Sequence, residues 1–325
     1  MSMSISTNKN YGFQAHLSFE FPSQILVDVT EVCNLACIHC PHEEFTKSGI
    51  YNKRYLDPKL NKKLVDEVFT DSINQCKYIR YAASGEPLLH PNFVEMIDYA
   101  CKNSGVPVNV TTNGVLLNEA KARILLDIGV DVVDISIDAY SPGTYSDIRK
   151  GGKLKVTKSN VLRLIKLARE GKYKTKIVAS FVEQPLNKSE RNDFKRFWED
   201  AGADFVVIRA FHSCAGSKED VADFMKKQKQ NRKPCLYPWE RLVLNPTGEM
   251  GFCPGDWKSE DTIIDFRKAS IKEIWQGEFM NKLREAHLKN DFRNYIFCDQ
   301  CPDWSVAKWP ESGRAYSVMM QELAD

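Results

Sequence analysis

Residues 30–42 read TEVCNLACIHCPH, which places Cys33, Cys37 and Cys40 in a C-x3-C-x2-C array directly after a short β-branched run, Ile25–Thr30. Three thiolates within eight residues can wrap one face of a cubic iron–sulfur cluster, and three protein ligands for four irons leave one iron open to a further ligand. A zinc knuckle completed by His39 or His42 is the competing reading, but zinc sites more often use paired C-x2-C units. A place just after the first strand also suits a loop at the C-terminal edge of a parallel sheet, where such folds keep their chemistry.

Outward from that array, β-branched runs recur at Tyr78–Ala83, Val106–Thr111, Val132–Ile137, Lys176–Val182 and Phe205–Arg209. Between them, apolar residues at three- and four-residue spacing predict helices over Leu60–Phe69, Phe93–Lys102, Asn118–Ile128, Ser159–Arg169 and Arg191–Ala201. Asn118 and Ser189 suit N-caps, and Gly129, Gly171 and Gly202 suit stops. Six βα units predict an α/β fold, a parallel sheet covered by helices. The rhythm breaks near residue 213. A polar connector precedes a hairpin, Arg241–Asn245 and Glu249–Cys253 around Pro246-Thr247-Gly248, and one helix is expected near Ile271–Leu288. The expected division is an extension at 1–24, a core domain at 25–212, a linker at 213–232, a small α+β domain at 233–310 and a tail at 311–325.

A chain of 325 residues with 43% apolar side chains can bury a large core without disulfide staples. Its 45 basic and 43 acidic residues leave a net charge of +2, too little excess positive field to make nucleic acid a partner. No apolar run approaches the roughly 20 residues that span a bilayer, and the first twenty residues lack the pattern of a secretory signal. The expected location is the cytoplasm, where thiols stay reduced, so ten cysteines point to metal or redox chemistry before disulfides.

The cysteine array in this position resembles that of the radical S-adenosylmethionine (radical SAM) enzymes, and the resemblance covers residues 25–212. It implies a partial (β/α)6 TIM-like barrel and a [4Fe–4S] cluster whose open iron chelates the amino and carboxylate groups of SAM. Reductive cleavage of SAM would then give a 5′-deoxyadenosyl radical that abstracts a substrate hydrogen. The residue before the third cysteine, commonly aromatic in the family, is His39, whose ring can stack on adenine. Ser84-Gly85-Glu86-Pro87 resembles the family's Gly-Gly-Glu-Pro segment, which implies that its backbone and Glu86 hold the SAM ammonium. Thr112-Asn113-Gly114 and Ser136-Ile137-Asp138 resemble segments near SAM, with Ser136 and Asp138 on one face of a strand. Arg149 resembles an arginine near the SAM carboxylate, a task suited to a planar fork.

A second set, Cys235, Cys253, Cys298 and Cys301, has the spacing C-x12-G-x4-C, with Gly248 in the hairpin, and closes with C-x2-C. Four thiolates saturate a [4Fe–4S] cluster; a four-thiolate zinc site is the alternative. This set resembles the auxiliary-cluster domain of radical SAM enzymes in its short twitch form, with spacing similar to the 2-deoxy-scyllo-inosamine dehydrogenase branch. The longer SPASM form carries cysteines farther on, whereas here Ala307 stands six residues after Cys301 and no cysteine follows.

A saturated cluster has no iron free for substrate, so its economical role is to accept or conduct an electron. With the radical chemistry, that implies oxidation of a secondary alcohol to a ketone. Glu183, Arg209 and His212, on the last strands, are the candidates to deprotonate or polarise the hydroxyl. Arg209 would act by stabilising an alkoxide, since arginine stays charged. Cys214 is a candidate hydrogen-atom donor, a role that would imply epimerisation, while Cys76 and Cys101 read as buried apolar residues. Only 24 residues precede the first strand, too few for a leader-recognition domain, which favours a sugar, nucleotide sugar or aminocyclitol as substrate and a flavodoxin- or ferredoxin-type reductant. A sugar epimerase or decarboxylase, a peptide or protein maturase, and a non-enzymatic iron–sulfur electron carrier are the alternatives.

Overall fold

The computed structural model describes residues 19–227, 232–258 and 263–306; most of the expected extension and all of the expected tail lie outside them. The β-branched runs become strands β1 (Gln24–Val27), β2 (Tyr78–Tyr81), β3 (Val108–Thr112), β4 (Val132–Ser136), β5 (Lys176–Glu183) and β6 (Phe205–Ala210). They pair in parallel in chain order. Helices α1 (Pro58–Asp71), α2 (Phe93–Asn103), α3 (Glu119–Ile128), α4 (Leu154–Glu170) and α5 (Arg191–Asp200) connect them, and α6 (Glu219–Lys227) follows β6. The result is a partial (β/α)6 barrel.

Local chemistry sets most of the ends. Asp57 accepts from the Lys59 amide at the start of α1, with Pro58 inside the first turn. Asn118 caps α3 through the Lys121 amide, and Gly129 closes it at φ +82°, a conformation that costs glycine little. Ser189 is not a cap: residues 188–190 form a 3-10 turn and α5 begins after Glu190. The single helix expected near Ile271–Leu288 is two, α7 (Ile271–Gln276) and α8 (Glu278–Lys289), because Gly277 adopts an extended ψ of 168°.

The hairpin from the second part of the chain, β7 (Arg241–Leu244) and β8 (Glu249–Gly251), does not stand apart. β7 pairs in parallel with β1, Ile25 opposite Leu242, and β8 and β9 (Ile264–Asp265) continue the same sheet antiparallel. Residues after 240 are thereby fixed against the strand that launches the Cys33–Cys40 loop. Inside the barrel, alternation puts Tyr78, Val132 and Val178, with Phe205 and Val207, in an apolar plug toward the N-terminal ends. Nearer the C-terminal ends the interior turns polar.

Candidate functional site

The Cys33–Cys40 loop is pinned by a two-stranded ribbon in which Ala36 faces Lys150 and Cys37 faces Arg149. Burial raises the Cys33 thiol to about 12 and the Cys40 thiol to about 11, and pushes Cys37 up as well; by charge, Cys37 and Cys40 raise Cys33 further and Cys37 raises Cys40. Loading iron must therefore expel protons. His42 turns its Nε2 to the Glu31 carbonyl at 2.7 Å, an anchoring role. The His39 ring lies between Asp138 (3.5 Å) and Gln184 (3.4 Å), and burial lowers it to about 4, so it is neutral at pH 7.

Arg149 is buried; its Nε and Nη2 donate to Asp138 Oδ2 at 2.8 and 2.5 Å, and its Nη1 points at Cys37 Sγ, 3.7 Å away. Asp138 sits at φ +64° and also accepts from the Val182 amide at 2.7 Å. That carboxylate holds Arg149 and His39 in place. Ser136 ends β4 half-buried.

Glu86 is likewise turned inward. Its carboxylate accepts from Thr112 Oγ1 (2.7 Å) and from the amides of Asn113 (2.8 Å) and Leu88 (3.2 Å), and burial raises its pKa. This carboxylate ties the loops after β2 and β3 together. Asn113 extends the tie to Asn34 in the cysteine loop at 2.8 Å. Gly85 passes so close to β1 that a Cβ there would lie 2.1 Å from the Thr30 carbonyl oxygen. Sequence reasoning missed Asp28, which accepts from the Ser84 amide at 3.1 Å; burial raises its pKa to about 7.

On the barrel wall, Arg209 Nη2 meets Asp134 Oδ2 at 2.5 Å, Arg80 reaches the same oxygen at 3.5 Å, and Ser180 donates to Asp134 Oδ1 at 2.5 Å. Arg80 and Asp134 were not anticipated, although Asp134 lies two residues before Ser136 on the same face. Ser180 faces inward, and the candidate Glu183, three residues on, faces the other way and pairs with Arg191 at 3.1 Å.

After β6 the chain forms a strap. Cys214 and Ala215 adopt φ +52° and +56°, uncommon for residues with a Cβ. The Cys214 thiol donates to the His39 carbonyl at 3.3 Å, and its amide donates to His212 Nδ1 at 3.2 Å on the exposed rim. Asp303 receives the Ser213 amide (2.7 Å), the Ser213 hydroxyl (2.8 Å) and the Ala215 amide (2.6 Å). The Asp303 amide in turn donates to Cys301 Sγ at 3.4 Å. The strap thus bridges both cysteine sets, a link of 88 to 90 residues that sequence reasoning had no signal to find.

The second set gathers Cys235, Cys253, Cys298 and Cys301. Burial raises Cys235 to about 11, Cys301 to about 12, and Cys253 well above its ordinary value; the other three cysteines raise Cys253 further by charge, and Cys235 raises Cys301. Among the described residues, no three His, Cys, Asp or Glu side chains stand at the spacing of a single metal ion. Two buried nitrogens beside this set, Arg232 Nε and His287 Nε2, have no hydrogen-bond partner in the protein. Four clustered thiols with orphaned donors beside them fit an anionic thiolate-bound group. Cys76 is buried and Cys101 half-buried against the core.

A thiol triad at the mouth of a partial (β/α)6 barrel, joined to a four-thiol site on the same sheet, defines a two-site iron–sulfur protein. The chain belongs to the radical SAM superfamily, which matches residues 27–197, and residues 235–302 match the SPASM iron–sulfur cluster-binding domain. The first domain binds a [4Fe–4S] cluster and SAM, and the second binds auxiliary iron–sulfur cluster chemistry. The chain is 25% identical over 276 residues to the tungsten-containing aldehyde ferredoxin oxidoreductase cofactor-modifying protein of Pyrococcus furiosus, covering 84% of this chain and 73% of that one. It is 31% identical over 241 residues to the mycofactocin maturase MftC of Mycobacterium ulcerans, covering 70% of this chain and 60% of the relative, less than two thirds of its length. The fold resembles the crystal structure of BtrN in complex with AdoMet and 2-DOIA, with a TM-score of 0.60 and 18% identity over 88% of this chain and 95% of that one. Among the described residues, no helix is long and apolar enough to cross a membrane.

Proposed function

We propose that this radical SAM enzyme oxidises a secondary alcohol of a small hydroxylated substrate, a sugar, nucleotide sugar or aminocyclitol, to a ketone. The observation that carries the reading is the second site: Cys235, Cys253, Cys298 and Cys301 gather as four thiol ligands, enough to fill the auxiliary cluster's coordination. When bound, SAM and its cluster supply a 5′-deoxyadenosyl radical that takes one hydrogen atom, and the auxiliary cluster supplies a sink for one further electron. The balance of a two-electron oxidation leaves one hydroxyl proton for the chain to accept.

A cleft of about 210 Å³ reaches Cys253 of the second set and is lined by Asp28 and Ser84 from the barrel and by Asn245, Thr247 and Trp257 from the later part of the chain. Its size is under the roughly 300–1,000 Å³ of sites for drug-sized ligands and supports a small substrate or a single side chain. Asp28, on the cleft wall with a pKa near 7, is the residue suited to take that proton, because an effective general base titrates near the working pH. His212 is less suited: its Nδ1 already accepts the Cys214 amide, so in the neutral ring Nε2 carries hydrogen. Arg209, bound to Asp134, can polarise but not deprotonate.

The test is anaerobic reconstitution to about eight irons, the content of two cubanes, followed by SAM cleavage with a panel of sugars, nucleotide sugars and aminocyclitols in deuterated buffer. Ketone formation with matching 5′-deoxyadenosine is the expected result. Solvent deuterium retained at carbon would refute oxidation and favour epimerisation with Cys214 as donor. The Mycobacterium ulcerans relative is a maturase by name, which favours a second reading, modification of a peptide; product formed only on peptide substrates would establish it.

A further inference from the structure

Arg232 lies three residues before Cys235 and folds back onto the segment that carries Cys298. Its Nη2 donates to the Cys298 carbonyl at 2.5 Å and its Nη1 to the Asp299 carbonyl at 3.0 Å. The guanidinium stacks on Phe292, 3.7 Å from the ring centre. Both terminal nitrogens of the fork therefore bond to backbone, and the remaining nitrogen, Nε, is buried without a partner in the protein. A buried donor is costly to leave unmade, so its retention points to an acceptor that the polypeptide does not provide.

The charges around Arg232 say which acceptor. Its charged neighbours, strongest first, are Cys298, Cys301 and Cys235, with the Asp299 carboxylate the weakest. Arg241 also acts on Cys235, but it is matched by its buried ion pair with Glu240. At the first site the corresponding cation, Arg149 beside Cys37, is matched by Asp138. The auxiliary site thus has an arginine whose main charge partners are cluster ligands, and the SAM site does not.

We propose that Arg232 tunes the auxiliary cluster, directing its Nε–H and its permanent charge at the thiolate-bound group so that the reduced state is favoured. Reduction adds one negative charge, and both a hydrogen bond to sulfur and a nearby cation stabilise that state over the oxidised one. This gives the site the electron-accepting character that alcohol oxidation requires, and in that last respect the inference rests on the proposed function.

The test is an EPR-monitored redox titration of both clusters in wild type, R232Q and R232K, each with its iron counted and no substrate present. In R232Q the reduction equilibrium of the auxiliary cluster should move at least tenfold toward the oxidised form, about 59 mV for one electron, while the SAM-site cluster keeps its midpoint. R232K, which keeps charge without the fork, should fall between. An unmoved auxiliary midpoint in fully loaded R232Q, or an equal shift of both clusters, would overturn the proposal. Should R232Q fail to hold its second cluster, an unmoved midpoint in R232K overturns it alone. A shifted midpoint in an enzyme that forms no ketone from any alcohol would refute the reaction and leave the tuning intact.

Discussion

Replacing Asp303 with alanine tests whether the strap after β6 depends on the auxiliary site. The carboxylate receives three donors, the Ser213 amide, the Ser213 hydroxyl and the Ala215 amide, and Ser213 is fully buried. Each unsatisfied buried donor costs about 1–3 kcal/mol, so the low end for three gives about 3 kcal/mol. Such a cost is met most easily by local opening of a strap that already holds two residues at positive φ. At 1.4 kcal/mol per decade, about 3 kcal/mol raises the opening equilibrium roughly 100-fold. Opening exposes the Cys214 thiol, now 6% exposed and held to the His39 carbonyl. The assay is alkylation of the iron-loaded protein with peptide mapping, scored as the ratio of Cys214 to Cys76, a core thiol 3% exposed. A ratio within twofold of wild type would refute the clamp, and an equal rise at Cys76 would indicate general unfolding instead.

Gly85→Ala forces a Cβ to 2.1 Å from Thr30 O and 2.6 Å from Val32 O, both backbone atoms. The expected cost is about 3 kcal/mol, the upper end of ordinary overpacking, with weakened SAM binding, read by thermal melting and equilibrium dialysis. Asp28 has a folded pKa of about 7 against 3.8 ordinarily. Between those values the folded state binds the extra proton, so stability falls as pH rises, by about 4 kcal/mol in all. The stability advantage of wild type over Asp28→Asn should therefore shrink from pH 5 to pH 8, and a constant difference in denaturant midpoint would count against a buried titrating carboxyl. Glu183→Gln breaks only a partly exposed pair with Arg191, worth at most about 1 kcal/mol; turnover should stay within twofold, and a large loss would restore Glu183 to the chamber.

The parallel core was legible because each strand carries its own β-branched run and each helix its own apolar spacing, signals within about ten residues of sequence. Errors came where a single backbone choice mattered, as at Gly277, which splits one expected helix into two. The outward turn of Glu183 was legible in the period of two counted from the inward Ser180. Asp134 carried the same kind of signal, two residues before Ser136 on the shared face. Asp28 and Asp303 carried none, since a carboxylate's worth depends on which distant amides it meets.

From its order of residues alone, this chain commits to two thiol sets, six βα units and the segments that follow each strand, because ligand spacing, caps and apolar periodicity are local properties. Folding alone could decide that the hairpin at 241–251 continues the barrel sheet beside β1, that Glu86 and Asp138 brace loops, and that Asp303 ties the strap to Cys301. Those outcomes depend on where buried donors and acceptors far apart in the chain find each other, and burial makes each such pairing obligatory.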